Sequence, residues 1–168
     1  MLKDKIQSNL NQALKRGDEI TCSTLRMLLA AILSKEKEKR YKIFKEEPEL
    51  TEKELAEKSF LTDEEVIEVI SSEIKKRKEA ILGFEKGERK ELAEKEKAEM
   101  EVLEKYLPEQ LSEEEIERLV KEAIEEVGAE DIKDMGKVMA ALMPKVKGKA
   151  DGGLVSKIVK ELLNSKEI

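Results

Sequence analysis

The chain has no histidine, no tryptophan and one cysteine, and its aromatic content is only 3%. Without histidine there is no His-based triad, no His-ligated metal and no Glu-x-x-His di-iron site. A single thiol allows neither a C-x-x-C pair nor an intramolecular disulfide framework, as suits a reducing compartment. Cys22 lacks the histidine that usually activates a nucleophilic thiol and stands near Leu25 and Leu28, so it reads as a small core residue. No apolar run approaches the roughly 18 consecutive residues of a membrane span, and acid and amide residues interrupt the opening MLKDKIQSNLNQ. The expectation is a cytoplasmic protein with no membrane association.

What is present is charge. Of 168 residues, 43% are charged, with 33 Lys and Arg against 39 Asp and Glu, for a net charge of -6. Hydrophobic residues reach 39%, too many for a disordered chain, yet the types that β-sheets favour are scarce. The expected fold class is all-α, in one domain or two small ones.

Helical punctuation runs through the chain. Leu2, Ile6, Leu10 and Leu14 form one stripe closed by Gly17, and Leu25, Leu28, Leu29, Ile32 and Leu33 form a second that continues into the charged run KEKEKRYK. After Pro48, Thr51 with Glu54 and Thr62 with Glu65 match the capping box, predicting a short helix and then a long one through Val66, Ile70, Ile74 and Ile81 to Gly83. Beyond Gly87, Leu92, Met100, Leu103 and Leu107 mark a further helix ended by Pro108. The segment PEQLSEEE reads as a joint, giving an N-terminal helical domain over 1–108 and a C-terminal three-helix domain over 109–168. The latter has Ile116 to Val127 ended by Gly128, Met135 to Met143 ended by Pro144, and Leu154 to Leu163. Met135, Met139 and Met143 are expected in the core.

The charge is polarised. Residues 1–84 carry 17 acids and 17 bases, 85–132 carry 18 and 8, and 133–168 carry 4 and 8. A local positive end on an acidic protein suits a polyanion held by its phosphates. Within it, MPKVKGKADGGLVSK places Lys145, Lys147 and Lys149 around Gly148, ahead of a helix opened by Asp151. A basic, glycine-containing loop leading into a helix N-terminus can offer lysines, backbone N–H groups and the positive dipole end to a phosphate. It does not match a Walker A loop, and a plain helix-helix turn with solvated lysines explains it equally well. The candidate phosphate contacts are Lys137, Lys145, Lys147, Lys149 and Lys157, with Gly148 as the flexible point. Secondary candidates are Lys75, Lys76 and Arg77, whose run also reads as a solvated face, and Arg26, which reads as an ion-pair partner or an anion contact within an apolar run. No catalytic, metal or cofactor residue stands out. With 39 acids, proximity of carboxylates says nothing.

The strings LEKYLPEQLSEEEIERLV and VGAEDIKDMGKVMAALMPKVKGKADGGLVSKIV resemble the GatB/YqeY family, as do Leu25-Arg26-Met27-Leu28 and Lys75-Lys76-Arg77-Lys78-Glu79-Ala80. The resemblance covers nearly the whole chain and is weakest over 41–60. It implies an all-α protein whose residues 109–168 are similar to the tail of the tRNA-dependent amidotransferase B subunit, a helical module that helps recognise tRNA. It therefore implies a non-catalytic tRNA-binding or amidotransferase-associated accessory role, with tRNA contacted through the Lys145 to Asp151 loop. Amidotransferase or tRNA-synthetase components are the implied protein partners. Where the amidotransferase tail tends to have Asn-Pro, this chain has Asp151-Gly152. The family-level label of carbon-nitrogen ligase with glutamine as amide donor comes with it, although nothing here resembles a catalytic cradle. The alternative is a protein-protein adaptor that presents a groove of the N-terminal bundle.

Overall fold

A computed structural model describes residues 1–164. They form α1 (Leu2–Arg16), α2 (Glu19–Glu46), α3 (Glu52–Ser59), α4 (Asp63–Lys86), α5 (Lys90–Glu104), α6 (Glu113–Val127), α7 (Met135–Val146) and α8 (Gly152–Asn164). A 3-10 turn, Ile132–Asp134, leads into α7. The protein is all-α, with no strand among the described residues. No described helix is long and apolar enough to cross a membrane. The helices fall into two compact units, Met1–Leu107 and the chain from Pro108 onward.

The capping boxes form as local chemistry demands. In α3, α4 and α6 the N-cap hydroxyl accepts the backbone N–H three residues on, and the glutamate there accepts the N-cap N–H in return. Asp18 caps α2 by accepting the Thr21 N–H at 3.0 Å and its hydroxyl at 2.7 Å. Gly17 and Gly128 close α1 and α6 in the left-handed conformation, at φ 69° and 63°.

Unit one is organised around α2, against which α1, α3, α4 and α5 all pack. Its core gathers Ile6, Leu10, Leu25, Leu28, Ile32, Val66, Ile70 and Leu103. Cys22 is buried there as a free thiol. Three expected stripe members are instead exposed, Leu92 and, at the far ends of their stripes, Leu14 and Leu33. For Leu14 and Leu33 the cause is helical drift. Each four-residue step rotates a side chain about 40° from its predecessor, so Leu14 ends well round from Leu2 and Leu33 well round from Leu25.

Two stop signals also act later than expected. Helix α4 runs through Gly83 to Lys86, because a lone glycine costs a helix only about 1 kcal/mol. Helix α7 runs through Pro144 to Val146. There Pro144 removes a single donor near the helix end, Ala140 lies at an exposed position where water can serve its carbonyl, and the Lys147 N–H still reaches the Met143 carbonyl at 3.0 Å. Burial of Val146 holds the last turn in place.

Unit two has its own core of Ile116, Val120, Ile124, Val138, Leu142, Val155, Val159 and Leu163. Met135 and Met139 pack against it, whereas Met143 is 40% exposed.

Candidate nucleic-acid interface

Unit two as a whole is not positive. From Pro108 onward the sequence holds 14 acids and 10 bases, because the helix preceding the basic segment brings its own carboxylates. What the fold does is sort them. Glu113, Glu114 and Glu117 of α6, with Glu161 of α8, line a depression of about 350 Å³ floored by Ile158 and Leu162, where a phosphate would be repelled. The candidate lysines lie on α7, on α8 and on the loop between them, while Lys121 is on α6 and Lys133 in the 3-10 turn.

That loop is held rather than loose. Gly148 takes a left-handed φ of 72°, and its carbonyl accepts a hydrogen bond from Gln110 Nε2 at 2.9 Å. The same amide nitrogen donates to the Pro108 carbonyl at 2.8 Å, and the Leu111 N–H reaches the Lys149 carbonyl at 2.7 Å. Gly148 thus takes the left-handed turn conformation that glycine favours, with its carbonyl hydrogen-bonded to Gln110. Gln110 is the positioning residue that sequence inspection missed, since nothing local links it to a glycine 38 positions away.

The N-terminus of α8 is occupied by the chain itself. Asp151 Oδ1 accepts the Gly153 N–H at 2.9 Å and the Leu154 N–H at 3.1 Å. The expected phosphate seat of backbone donors is therefore taken by an internal carboxylate, as the capping preference of aspartate dictates. What the loop offers an external anion is lysine side chains.

Those side chains differ in how they are engaged. Lys137 Nζ bonds to Asp134 Oδ1 at 2.8 Å, which lowers the Asp134 pKa and raises that of Lys137. Lys145 pairs with Glu126 of α6 at 2.9 Å. Lys157 stands 3.8 Å from Glu161, at the edge of the acidic depression, so it is the least favoured of the set. Lys147 and Lys149 are exposed in the turn. Lys145 and Lys147 also lie at the carbonyl end of α7, where a cation is favoured in any case. Lys160, one turn beyond Lys157 and exposed, was not singled out by sequence.

The secondary candidates separate sharply. Arg77 is 4% exposed and committed to carboxylates: Nη1 to Glu73 Oε2 at 3.3 Å and Nη2 to Glu99 Oε2 at 3.0 Å. It faces the core of unit one, so no phosphate reaches it, which corrects its placement among the anion contacts. Lys75 is exposed on the outer side of α4, and Lys76 bonds to Glu73 at 2.6 Å. Arg26 is exposed, and among the described residues it forms no ion pair, against the expectation of a structural partner. Between α2 and α4 runs a groove of about 730 Å³ in which Lys35, Lys39 and Lys76 face Glu38, Glu65 and Glu73. Each of these lysines bonds to one of those glutamates, so the groove has no net preference for an anion.

The chain matches the Yqey-like protein family over residues 47–163. It is also similar to an uncharacterized protein of Schizosaccharomyces pombe, with 40% identity over 87 residues that span 51% of this chain and 69% of the yeast protein. The family match takes in Gln110, the Gly148 turn and every candidate lysine of unit two, and leaves α1 and the whole of α2 outside it. A match that covers more than half of the chain assigns it: the protein belongs to the Yqey-like family.

Proposed function

We propose that the protein is a non-catalytic, tRNA-binding accessory protein that works beside amidotransferase or tRNA-synthetase components. Its RNA-facing surface is the loop side of unit two, with Lys147 and Lys149 as principal phosphate contacts, Lys137 and Lys145 beside them, and Lys157 and Lys160 at the margin. The supporting observation is the fate of the carboxylates in this basic segment. Asp151 accepts the Gly153 and Leu154 N–H groups, Asp134 divides its oxygens between the Glu130 N–H and Lys137, and Gln110 hydrogen-bonds the Gly148 carbonyl in the turn that carries the exposed Lys147 and Lys149. The surface pairs of Lys137 and Lys145 do not prevent this role, because exposed ion pairs contribute about 0–1 kcal/mol and yield readily to a phosphate. Lys75 and Lys76 of α4 are secondary contacts.

The test is a titration of the full chain with fluorescent tRNA at several salt concentrations, with duplex DNA as control. Lys147→Glu/Lys149→Glu is expected to weaken tRNA binding about tenfold and to reduce the salt slope by about one per lysine. Unchanged affinity and slope would remove the site, and equal binding of tRNA and duplex DNA would reduce it to nonspecific charge.

A further inference from the structure

Most of the hydrogen-bonding groups in the turn between α7 and α8 are spent within the chain. The Lys147 N–H donates to the Met143 carbonyl, and the Lys149 and Ala150 N–H groups both donate to that of Val146. The Gly148 and Lys149 carbonyls accept Gln110 Nε2 and the Leu111 N–H. The polar side chains beside the turn are committed as well. Gln110 divides its amide nitrogen between the Pro108 and Gly148 carbonyls, and Ser112 is engaged with Glu115 in the α6 cap. What the turn presents to another molecule is the exposed side chains of Lys147 and Lys149, whose ammonium groups act as point charges. Such a surface meets phosphates, and phosphate contacts carry no sequence information.

The aromatic rings of the protein lie elsewhere. All five, Tyr41, Phe44, Phe60, Phe84 and Tyr106, belong to unit one, and residues 107–168 hold none. Unpaired nucleotides are held by stacking their bases on aromatic or arginine planes and by hydrogen bonds to their base edges. The one arginine after Tyr106 is Arg118, which lies on α6 and not in the turn. A helical stem makes no such demand, because its bases are paired and stacked on one another. It presents phosphates and sugar hydroxyls, and its two strands carry about twice the charge per unit length of one strand. Density matters here, since acids stand near the lysines: Glu126 bonds to Lys145, Asp151 caps α8, and Glu109 is exposed beside Gln110. An isolated phosphate therefore gains little, and a dense array that meets two lysines together gains more.

We infer that the lysine turn of unit two grips RNA by the phosphates of its helical stems, whatever their sequence, and takes no hold on unpaired nucleotides. This rests on the RNA-binding reading of the same turn and names the part of an RNA that it meets. An A-form stem differs from a DNA helix in groove shape and in its 2′-hydroxyls, so RNA and DNA helices are separated without reading a base.

The experiment titrates the full chain and its Lys147→Glu/Lys149→Glu variant with fluorescent RNAs: a pair of blunt duplexes of unrelated sequence, and one separated strand of each. The quantity read is the affinity that the substitution removes, so that contacts made elsewhere on the protein, as by the exposed Tyr41 and Phe44, cancel. The variant is expected to lose about tenfold in affinity for both duplexes alike and to bind the single strands as the parent chain does. Circular dichroism is expected to show native helicity, since both positions are exposed. A loss for the strands that equals or exceeds the loss for the duplexes overturns the inference and leaves the turn as an RNA site. A loss confined to one duplex sequence also overturns it, because bases are then being read. No loss with any RNA removes the RNA-binding reading of the turn, and this inference with it.

Discussion

Arg77 of α4 reaches Glu99 of α5 through a 3.0 Å bond from Nη2 to Oε2, with both side chains buried. Glu73, one turn before Arg77, takes the other terminal nitrogen and also binds Lys76, while Arg77 Nε is buried without a partner. Two carboxylates therefore converge on one guanidinium inside unit one. Removing one partner of such a cluster leaves a buried charge uncompensated, whereas replacing the whole cluster by apolar residues does not. Glu99→Ala is expected to cost about 3 kcal/mol in urea unfolding. The combined Glu73→Leu/Arg77→Met/Glu99→Leu variant is expected to recover most of that loss. A Glu99→Ala midpoint equal to that of the parent chain would show the pair to be dispensable.

Gly128 and Gly136 stand eight positions apart and should respond to alanine with opposite signs. At Gly128 φ is 63°, so a Cβ is strained even though nothing lies within 4 Å of it. Gly136 lies in the first turn of α7 with equally open space and no positive φ. Gly128→Ala is expected to destabilise by about 1 kcal/mol and Gly136→Ala to stabilise by about 0.5 kcal/mol, read as shifts of the thermal midpoint.

The α6 cap gives unit two an acid limb. Hydrogen bonds from the Ser112 backbone N–H and hydroxyl hold the Glu115 carboxyl below its ordinary 4.5, and the Lys137 ammonium and the Glu130 N–H hold Asp134 below its ordinary 3.8. A folded-state pKa below the unfolded value contributes stability that is complete above the unfolded pKa and lost as pH falls through the folded one. Stability of this unit should thus decline below about pH 4.5. Ser112→Ala is expected to lower stability at neutral pH and to make that decline shallower, as followed by amide exchange in α6 from neutral pH down into the acid limb. An acid limb of unchanged steepness would count against the cap.

Gln110 and Gly148 make a clamp whose removal should show in dynamics before it shows in stability. Gln110→Ala leaves the Gly148 carbonyl without its amide partner, and the loop is expected to exchange its amide hydrogens about tenfold faster, a cost of about 1 kcal/mol for one hydrogen bond. If the lysines act from a pinned turn, tRNA affinity falls in the same variant with the salt slope retained, because no charge has been removed. Unaltered exchange across 146–150 would mean that the Leu111 to Lys149 bond suffices alone.

Local chemistry was legible in the order of residues. Three capping boxes, the left-handed glycines at 17 and 128, and the apolar stripes each depend on neighbours within one or two turns, and so the all-α class and nearly every helix start follow from reading along the chain. Where a signal was local but weak it misled: Gly83 and Pro144 look like stops, and packing around Ile81 and Val146 carries the helices past them.

Tertiary structure alone decided which of several equivalent residues does what. In Lys75-Lys76-Arg77-Lys78 the four cations look interchangeable, yet the 100° step of the helix turns only Arg77 into the interior, where Glu99 waits 22 positions on. Likewise the basic C-terminal segment reads as a positive patch until α6 brings Glu126 to Lys145 and Asp151 folds back onto its own helix. A sequence reports the charge that each residue carries. Which partner a charge meets depends on the long-range packing of helices, and that packing is what turns Arg77 inward to Glu99 and brings Glu126 to Lys145.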